Sequence, residues 1–306
     1  MPRKLVAVDW GTSSLRGALI SSDGIVLDKR AFPQGILQVA HGQFQNVFEQ
    51  RFGDWMTDTA MCLVSGMAGS RQGWREAPYC PCPSGFEDIA QHLQWIEKDR
   101  IGIVPGLSTW NDDTPDVMRG EEIQIFGALT SQHIHSAQFV LPGTHSKWAH
   151  VADGKITAFK TFMTGEFYAL LSQHSILAKT CLPDAPLKKE VFIEGVMQSQ
   201  KPGGLLHHAF SARSLALFEK LNPAQSSSYI SGLLIGEEIK SAKDEQTKRL
   251  EDQTPLFILG NGQLTQRYSF AMEALGLSAA ALADEVTWTG LWALAQHLYP
   301  QDFTLS

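Results

Sequence analysis

The feature that most restricts what this chain can fold into is an order of elements that occurs twice. From Leu5 the sequence reads LVAVDWGTSSLRGALI: an apolar strand, a Gly-Thr-Ser turn and a second apolar strand. SSDG (21–24) carries the Asp-Gly signature of a tight hairpin, and IVLDKRA follows as a third strand. Helical spacing runs from Gln43 to about Thr59, and AMCLVSGMAG reads as a further strand ending in glycine. About 130 residues after the first strand the order returns. AQFVLPGTHSKWAHVADGKITAFKTF gives a strand, a turn at Gly143-Thr144, a strand, a turn at Asp153-Gly154 and a strand. TGEFYALLSQHSILAK then has helical periodicity. The duplication predicts an α/β protein of two similar lobes facing each other. The join is expected near Thr130–Ser136, after the helical DVMRGEEIQIFGAL, which gives lobes 1–134 and 135–306.

The two small-residue turns also carry chemistry. A hairpin rich in Gly, Thr and Ser offers backbone N–H groups and hydroxyls to phosphate oxygens. An acid, Asp9, stands before the first turn and Lys147 stands after the second. Such a pair can hold a polyphosphate, with Asp9 on a magnesium ion directly or through water. A plain tight hairpin explains either turn taken singly; the pairing favours phosphate. Other phosphate and hydrolase signatures are missing: no G-x-x-x-x-G-K-[ST], no G-x-G-x-x-G after a strand, no G-x-S-x-G and no H-E-x-x-H.

Composition narrows the classes further. With 306 residues, 43% of them hydrophobic, the chain can bury two moderate cores. A formal charge of −7 without a long basic block argues against non-specific nucleic-acid binding, while leaving room for a local cationic pocket. MPRKLVAVDW has no signal-peptide core, and no segment reaches the roughly 18 uncharged apolar residues that span a bilayer. A cytoplasmic protein with small-molecule partners, and no membrane partner, is expected. The cysteines are Cys62, Cys80, Cys82 and Cys181. Cys80-Pro81-Cys82 is too close for an ordinary disulfide and lacks a second pair at zinc spacing, so unpaired thiols are expected.

Six blocks in order, AVDWGTSSLRGAL, SGMAGSRQGWREAPY, MRGEEIQIFGAL, LPGTHSKWAHV, TFMTGEFYALL and YISGLLIGEEI, resemble the 2-dehydro-3-deoxygalactonokinases. These are sugar-acid kinases of the actin, hexokinase and Hsp70-like superfamily, and the resemblance runs from Leu5 to about Gly290. It implies two ribonuclease-H-like lobes in the actin-like ATPase and sugar-kinase fold, with ATP and magnesium in an interlobe active-site cleft. It also implies transfer of the γ-phosphoryl group to the 6-hydroxyl of 2-dehydro-3-deoxygalactonate, in galactonate catabolism. Carried over by position, Asp9, Gly11, Thr12 and Ser13 match the first phosphate motif. Gly143 and Thr144, with His145, Ser146 and Lys147, match the second. LFILGNGQLTQRYSFAMEALG occupies the place of the adenosine motif, where Gly260 and Gly262 let a nucleotide lie against backbone. Its G-N-G departs from the paired glycines of the superfamily, and a glycine-rich strand-to-helix connection is the plain alternative.

Phosphoryl transfer asks for positioning, charge neutralisation and a base for the acceptor hydroxyl. STWNDDTPDVMRGEE offers Asp112 and Asp113, read here as a loop immediately before a helix. Related sugar kinases place their base in such a loop, and the spacing from RGEE matches Asp113 best, with Asp112 beside it. The alternative is capping by Asp112, Asp113 or Thr114, with Pro115 in the first helical turn. The acceptor's carboxylate calls for a bidentate cation, and Arg16, Arg71, Arg75 and Arg119 lie in or beside the matching blocks. Each also suits an ion pair. Gly66, Gly69, Ser70, Gly73 and Trp74 form a small-residue loop able to line a sugar pocket, though Trp74 equally suits a core. Arg16, Gly69, Ser70, Trp74 and Arg119 are the substrate candidates. His207-His208 reads as a surface pair at a helix start, and KSAKDEQTKRLED (240–252) as a solvated helix end. WTGLWALAQHL reads as an amphipathic C-terminal helix whose tryptophans pack on the second lobe.

Other readings share much of this pattern. A kinase for the gluconate epimer would show every motif above. A phosphatase on the same fold would use water as acceptor. A sugar sensor would need an added DNA-binding segment, for which a first strand at Leu5 leaves no room. A homodimer is common among such kinases and is an expectation of the resemblance.

Overall fold

The computed structural model describes residues 3–182, 184–246, 254–260, 262–283 and 285–304. In chain order the elements are β1 (Lys4–Trp10), β2 (Leu15–Ile20), β3 (Val26–Phe32), α1 (Phe44–Phe52), β4 (Ala60–Gly66), β5 (Cys80–Pro81), α2 (Phe86–His92), β6 (Gln94–Glu97), β7 (Ile101–Ile103), β8 (Leu107–Asn111), β9 (Thr114–Met118) and α3 (Glu121–Gln132). There follow β10 (Ala137–Leu141), β11 (Ser146–Ala152), β12 (Lys155–Phe162), α4 (Thr164–His174), α5 (Lys189–Ser199), α6 (Gly204–Leu217), α7 (Pro223–Gln246), β13 (Leu256–Leu259), α8 (Gly262–Ala274), β14 (Ala280–Leu282) and α9 (Val286–Leu298).

The larger sheet has the order β3-β2-β1-β4-β7-β6. β1 runs antiparallel to β2 and parallel to β4, from Lys4↔Ala60 to Trp10↔Gly66. These central strands are apolar because both faces are covered. Val6, Val8, Trp10, Cys62 and Val64 pack with Phe44, Val47, Phe48 and Phe52 of α1. α9 packs on α3, β1 and β4. Its contact with α3 is backbone to backbone: a Cβ on Gly127 would lie 1.8 Å from the Val286 carbonyl oxygen, and one on Gly290 2.1 Å from that of Ile123.

The second sheet has the order β12-β11-β10-β13-β14, which repeats the β3-β2-β1-β4-β7 order of the first. The duplication read from the sequence is therefore present in the topology. Here too glycines let two helices meet. A Cβ on Gly195 of α5 would lie 2.2 Å from the Tyr229 carbonyl oxygen, and one on Gly232 of α7 1.9 Å from that of Phe192.

The described residues form two compact units that depart from a single cut after residue 134. The first takes the chain to Ala137, together with Ala149–Phe159 and α9; the second takes Gln138–Trp148 and Lys160–Ala283. Ala149–Phe159 joins the first unit because Ser84 and Ile156 exchange two backbone hydrogen bonds, of 3.0 and 2.9 Å. α9 joins it through its packing on α3, β1 and β4, so its tryptophans belong to the first unit, where the sequence had put them with the second. Val286, Thr287, Trp288 and Gly290–Ala295 are all buried, and a helix apolar all round has to be enclosed.

A further correction concerns Asp112 and Asp113. They form the two-residue turn of the β8–β9 hairpin, whose register closes at Asn111↔Thr114, and they do not lead directly into a helix. Asp112 takes φ 53°, a left-handed conformation that Asp tolerates. Thr114 and Pro115 belong to β9, and α3 begins only at Glu121, so none of these residues caps it. His208 is buried, with Nε2 3.1 Å from the Pro202 carbonyl oxygen, and is not a surface residue. Of the charged run at 240–252, α7 covers residues to 246; 247–252 lie outside the described residues.

Candidate functional site

In the first unit a polar cluster forms where β1 and β4 end and α3 begins. Asp9 and Ser65 are register partners at the ends of these parallel strands. Gly66 follows with φ 88°, and an added Cβ would sit 3.2 Å from Asp9 Oδ1 and 2.9 Å from the Trp10 carbonyl oxygen. Gly120, φ 107°, approaches from the other side: its Cβ would lie 3.4 Å from the Gly66 Cα. Two glycines thus let a strand end and a helix start meet beside the Asp9 carboxylate.

Asp9 is held by a neighbour. Its Oδ2 accepts from Arg16 Nη2 at 2.6 Å and Nε at 3.2 Å. The guanidinium of Arg16 is therefore engaged with the proposed metal carboxylate. The turn after β1 closes with Gly11 N–H donating to the Ser14 carbonyl oxygen at 2.9 Å, and Ile36 N–H binds the Gly11 carbonyl oxygen at 3.0 Å. Thr12 and Ser13 remain exposed on this braced turn.

The loop after β4 supplies the rest. Gly69 packs so closely on Arg119 that a Cβ would fall 2.6 Å from Nη1. Arg119 Nη2 donates to the Ala77 carbonyl oxygen at 2.8 Å, and the guanidinium stacks 4.4 Å from the Tyr79 ring centre. At the head of α3 the acids turn back on the chain: Arg119 N–H donates to Glu121 Oε2 at 2.9 Å and Gly120 N–H to Glu122 Oε2 at 2.7 Å. Glu122 is fully buried, and desolvation, with the Glu121 charge beside it, pushes its carboxyl up to about 8. Buried polar atoms are nearly always paired. Among the described residues eleven buried side-chain atoms lack a partner, and five of them fall here: Ser65 Oγ, Ser70 Oγ, Arg119 Nε, Arg119 Nη1 and Glu122 Oε1.

Other candidates in this unit go elsewhere. Trp74 is half-buried and packs against the core, its ring 6.1 Å from Trp10 and 5.2 Å from Phe48. Arg71 is exposed and pairs with Glu76 at 3.0 Å, and exposed Arg75 donates to the Trp95 carbonyl oxygen. Asp112 and Asp113 are exposed at the hairpin tip, and β9 separates them from Arg119.

In the second unit the turn Gly143–His145 joins β10 to β11. Gly165 permits the start of α4 to rest on it: a Cβ there would lie 2.5 Å from the Gly143 carbonyl oxygen. Glu166 N–H donates to the Thr144 carbonyl oxygen at 3.0 Å, and His145 Nε2 lies 2.6 Å from Glu166 Oε2. Thr144 and His145 are exposed, whereas Ser146 and Lys147 are buried. The Ser146 hydroxyl donates to Glu238 Oε1 at 2.7 Å, so its side chain faces inward, away from any phosphate on the turn. Gly260 closes β13 with φ 157°, and a Cβ on it would sit 3.3 Å from Thr265 Oγ1 and 3.9 Å from Pro142 Cδ. The structure thus brings the adenosine-type loop beside the Gly143 turn. Gly262, first residue of α8, has open space around its Cα; Asn261 between the two glycines lies outside the described residues.

Glu122 and Glu238 were not singled out in the sequence. Each is one of an adjacent acid pair, Glu121-Glu122 and Glu237-Glu238, and the pair alone does not say which member turns inward. Among the described residues no group of three or more His, Cys, Asp or Glu is placed to hold a metal ion, and no helix is long and apolar enough to cross a membrane.

The sequence model of the family described as 2-keto-3-deoxy-galactonokinase matches residues 9–294. The 2-dehydro-3-deoxygalactonokinase of Escherichia coli (strain K12) is 32% identical over 288 residues, covering 94% of this chain and 96% of that one. A crystal structure from Sinorhizobium meliloti, assigned as a 2-dehydro-3-deoxygalactonokinase protein, superposes with a TM-score of 0.88 at 33% identity, covering 97% of this chain and 99% of that one. The fold extends further. The activator of the 2-hydroxyisocaproyl-CoA dehydratase from Clostridium difficile, solved with bound ADPNP, gives a TM-score of 0.52 at 11% identity, covering 98% of each chain.

Proposed function

This chain belongs to the 2-keto-3-deoxy-galactonokinase family, and from that premise we propose how its own residues serve the reaction. It is a sugar-acid kinase with the actin-like sugar-kinase fold, and the reaction is ATP-dependent phosphorylation of 2-dehydro-3-deoxygalactonate. In our reading the acceptor is the 6-hydroxyl and the products are ADP and the 6-phosphorylated acid.

The observation that carries the site assignment is the concentration of unpaired buried polar atoms between Ser65 and Glu122. A polyhydroxylated acid is the ligand class that pairs them. Arg119 takes the carboxylate, because its buried Nε and Nη1 still lack acceptors and Tyr79 fixes the guanidinium plane. Ser65, Ser70 and Glu122 take hydroxyls, and Gly69 keeps the wall next to Arg119 thin.

The two turns hold the phosphates. Thr12 and Ser13 on one, on the turn that Gly11 closes, and Gly143, Thr144 and His145 on the other, present N–H groups and polar side chains on braced backbone. Gly260 and Gly262 let the nucleotide lie against the chain. The residues present fit magnesium, which favours one or two carboxylates and keeps several waters; Asp9 Oδ1 is its ligand in this reading. Bound there, magnesium supplies neutralisation of phosphate charge. Arg16 positions Asp9 and does not itself touch the sugar acid. Asp113, with Asp112 beside it, is the proton acceptor; the family resemblance supports this assignment, and both carboxylates are accessible at the hairpin tip. A cytoplasmic location and a homodimer complete the reading.

The test is a coupled ADP-release assay with ATP and magnesium, run with the galactonate acid, its gluconate epimer and no sugar. Turnover with the galactonate acid alone is expected. Equal turnover with both epimers would replace the substrate assignment by a broader one, and release without sugar would point to hydrolysis.

A further inference from the structure

We propose that Glu238 is the positioning residue of the nucleotide site, a buried carboxylate that sets the second phosphate turn, the head of α4 and the helix behind the adenosine loop against one another. This rests on assigning Gly143–His145, Gly260 and Gly262 to the nucleotide.

Glu238 lies on α7 and is 3% exposed. Four neutral donors converge on it. Oε1 accepts from Ser146 Oγ and from Trp148 Nε1, both at 2.7 Å. Oε2 accepts from Tyr268 Oη at 2.6 Å and from Thr164 Oγ1. The division is by element: one oxygen holds β11, and the other ties α4 to α8. Burial raises the carboxyl's pKa, and all four hydrogen bonds lower it.

Each donor is next to a segment the nucleotide needs. Ser146 follows His145 directly, and Trp148 is the next inward-facing residue of β11. Thr164 precedes Gly165, where an added Cβ would lie 2.5 Å from the Gly143 carbonyl oxygen. Tyr268 lies on α8 within a turn of Thr265, the neighbour of Gly260. The carboxylate itself is enclosed and reaches no phosphate, so it acts through these residues.

A purely space-filling role does not call for such a group. Burying a carboxylate costs several kcal/mol, and an apolar side chain of the same size is often as stable. What the carboxylate adds is direction: four acceptor geometries that admit one arrangement of strand and two helices.

The full chain is measured as Glu238→Leu, Glu238→Gln, Tyr268→Phe and, as a control on the turn, Thr144→Pro. In Glu238→Leu all four donors lose their acceptor, and KM for ATP is expected to rise by about 30-fold or more, with KM for the sugar acid within about twofold. Glu238→Gln keeps an oxygen for Ser146 and Trp148, while the Thr164 and Tyr268 hydroxyls reverse to accept from the amide. It should restore KM for ATP to within a few-fold of wild type. Tyr268→Phe should fall between, and it carries the test if the leucine variant does not fold. Calorimetric titration with ADP reads the same shifts without turnover. The proposal is overturned if Glu238→Leu, or in its place Tyr268→Phe, lowers the melting temperature while both KM values stay at wild type. Thr144→Pro separates the two failures: if it too leaves KM for ATP unchanged, the nucleotide assignment is wrong, and if it raises KM while the other variants do not, only the role of Glu238 falls.

Discussion

Two buried glutamates mark the two halves of this enzyme, and their surroundings are opposite. Glu122 in the first unit accepts the Gly120 N–H on Oε2 and keeps Oε1 without a partner, beside an arginine with two unpaired nitrogens. Glu238 in the second unit divides both oxygens among four donors. The carboxyl with few partners is pushed up to about 8, while the shift at Glu238 is opposed by every one of its hydrogen bonds. Under the proposed assignment of the sugar acid to the Ser65–Glu122 cluster and of phosphate to the Gly143 turn, the contrast follows from what each cluster serves. A pocket that must tell one polyhydroxylated acid from another leaves its own polar groups to be completed by the substrate, because an analogue that fails to complete them then costs binding energy. A phosphate turn binds through backbone, so it gains most from being fixed before the ligand arrives.

The largest expected effect lies outside both clusters, on the β8–β9 hairpin. Replacing Asp112 and Asp113 together by Asn should lower kcat by about 10³-fold, within the range for losing a general base, and leave ADP affinity unchanged. Single-turnover kinetics with ADP titration checks it. Turnover within tenfold of wild type would take the base off the hairpin tip and overturn its assignment to Asp113 and Asp112.

Next comes the recognition side of the contrast. Arg119→Ala should reduce kcat/KM for the sugar acid by about 100-fold, the scale of a lost charge-assisted pair, with KM for ATP within about twofold. Steady-state kinetics in both substrates decides. Equal loss in the two would erase the division of labour between the units.

The protonation difference is a smaller effect with a definite sign. An unfolded Glu122 ionises near 4.5, whereas in the folded chain it holds its proton up to about 8. Across that window the folded state binds more protons than the unfolded one, so this group's contribution is complete below pH 4.5 and is lost as pH rises towards 8. The unfolding free energy of wild type should therefore fall by about a few kcal/mol between these limits relative to Glu122→Gln, and run parallel to it above. Urea titrations at a series of pH values measure this. Parallel curves throughout would mean that Glu122 is already ionised and paired.

How much of this was legible beforehand depends on whether the signal was local. The two turns were readable because Gly-Thr between apolar strands, followed by Asp-Gly, is a pattern of adjacent residues. The β8–β9 hairpin was misread because Asn-Asp-Asp-Thr before a proline satisfies the rules for a helix cap as well as those for a two-residue turn. Only pairing with Leu107–Asn111 decides between them. α9 was placed on the wrong unit because an apolar helix does not name its neighbour. Gly127 and Gly290 do, but their fit shows only when the two backbones meet. Asp9 was legible as an acid at a strand end, yet its pairing with Arg16 joins residues on adjacent strands that the sequence left open. Glu122 and Glu238 depended on helix phase against a core not yet known.

The smallest effect sharpens the comparison by setting the substrate candidate Arg119 against Arg71, which the sequence left outside the substrate set. Arg71 and Arg119 both stand in blocks shared with the sugar-acid kinases, and both carry the guanidinium that suits the substrate carboxylate. Arg119 has buried nitrogens without acceptors, whereas the Arg71 side chain is 88% exposed and its partner Glu76 is itself half in solvent. An exposed ion pair of this kind contributes about 0–1 kcal/mol, since water and salt compete for both charges. Arg71→Ala should thus leave kcat/KM for the sugar acid within about twofold of wild type and the unfolding free energy within about 0.5 kcal/mol. A loss approaching that of Arg119→Ala would mean that the loop after β4 closes over the substrate and brings Arg71 to it. The carboxylate would then be read by a moving exposed side chain, and the fixed, unpaired arginine would serve the sugar hydroxyls instead.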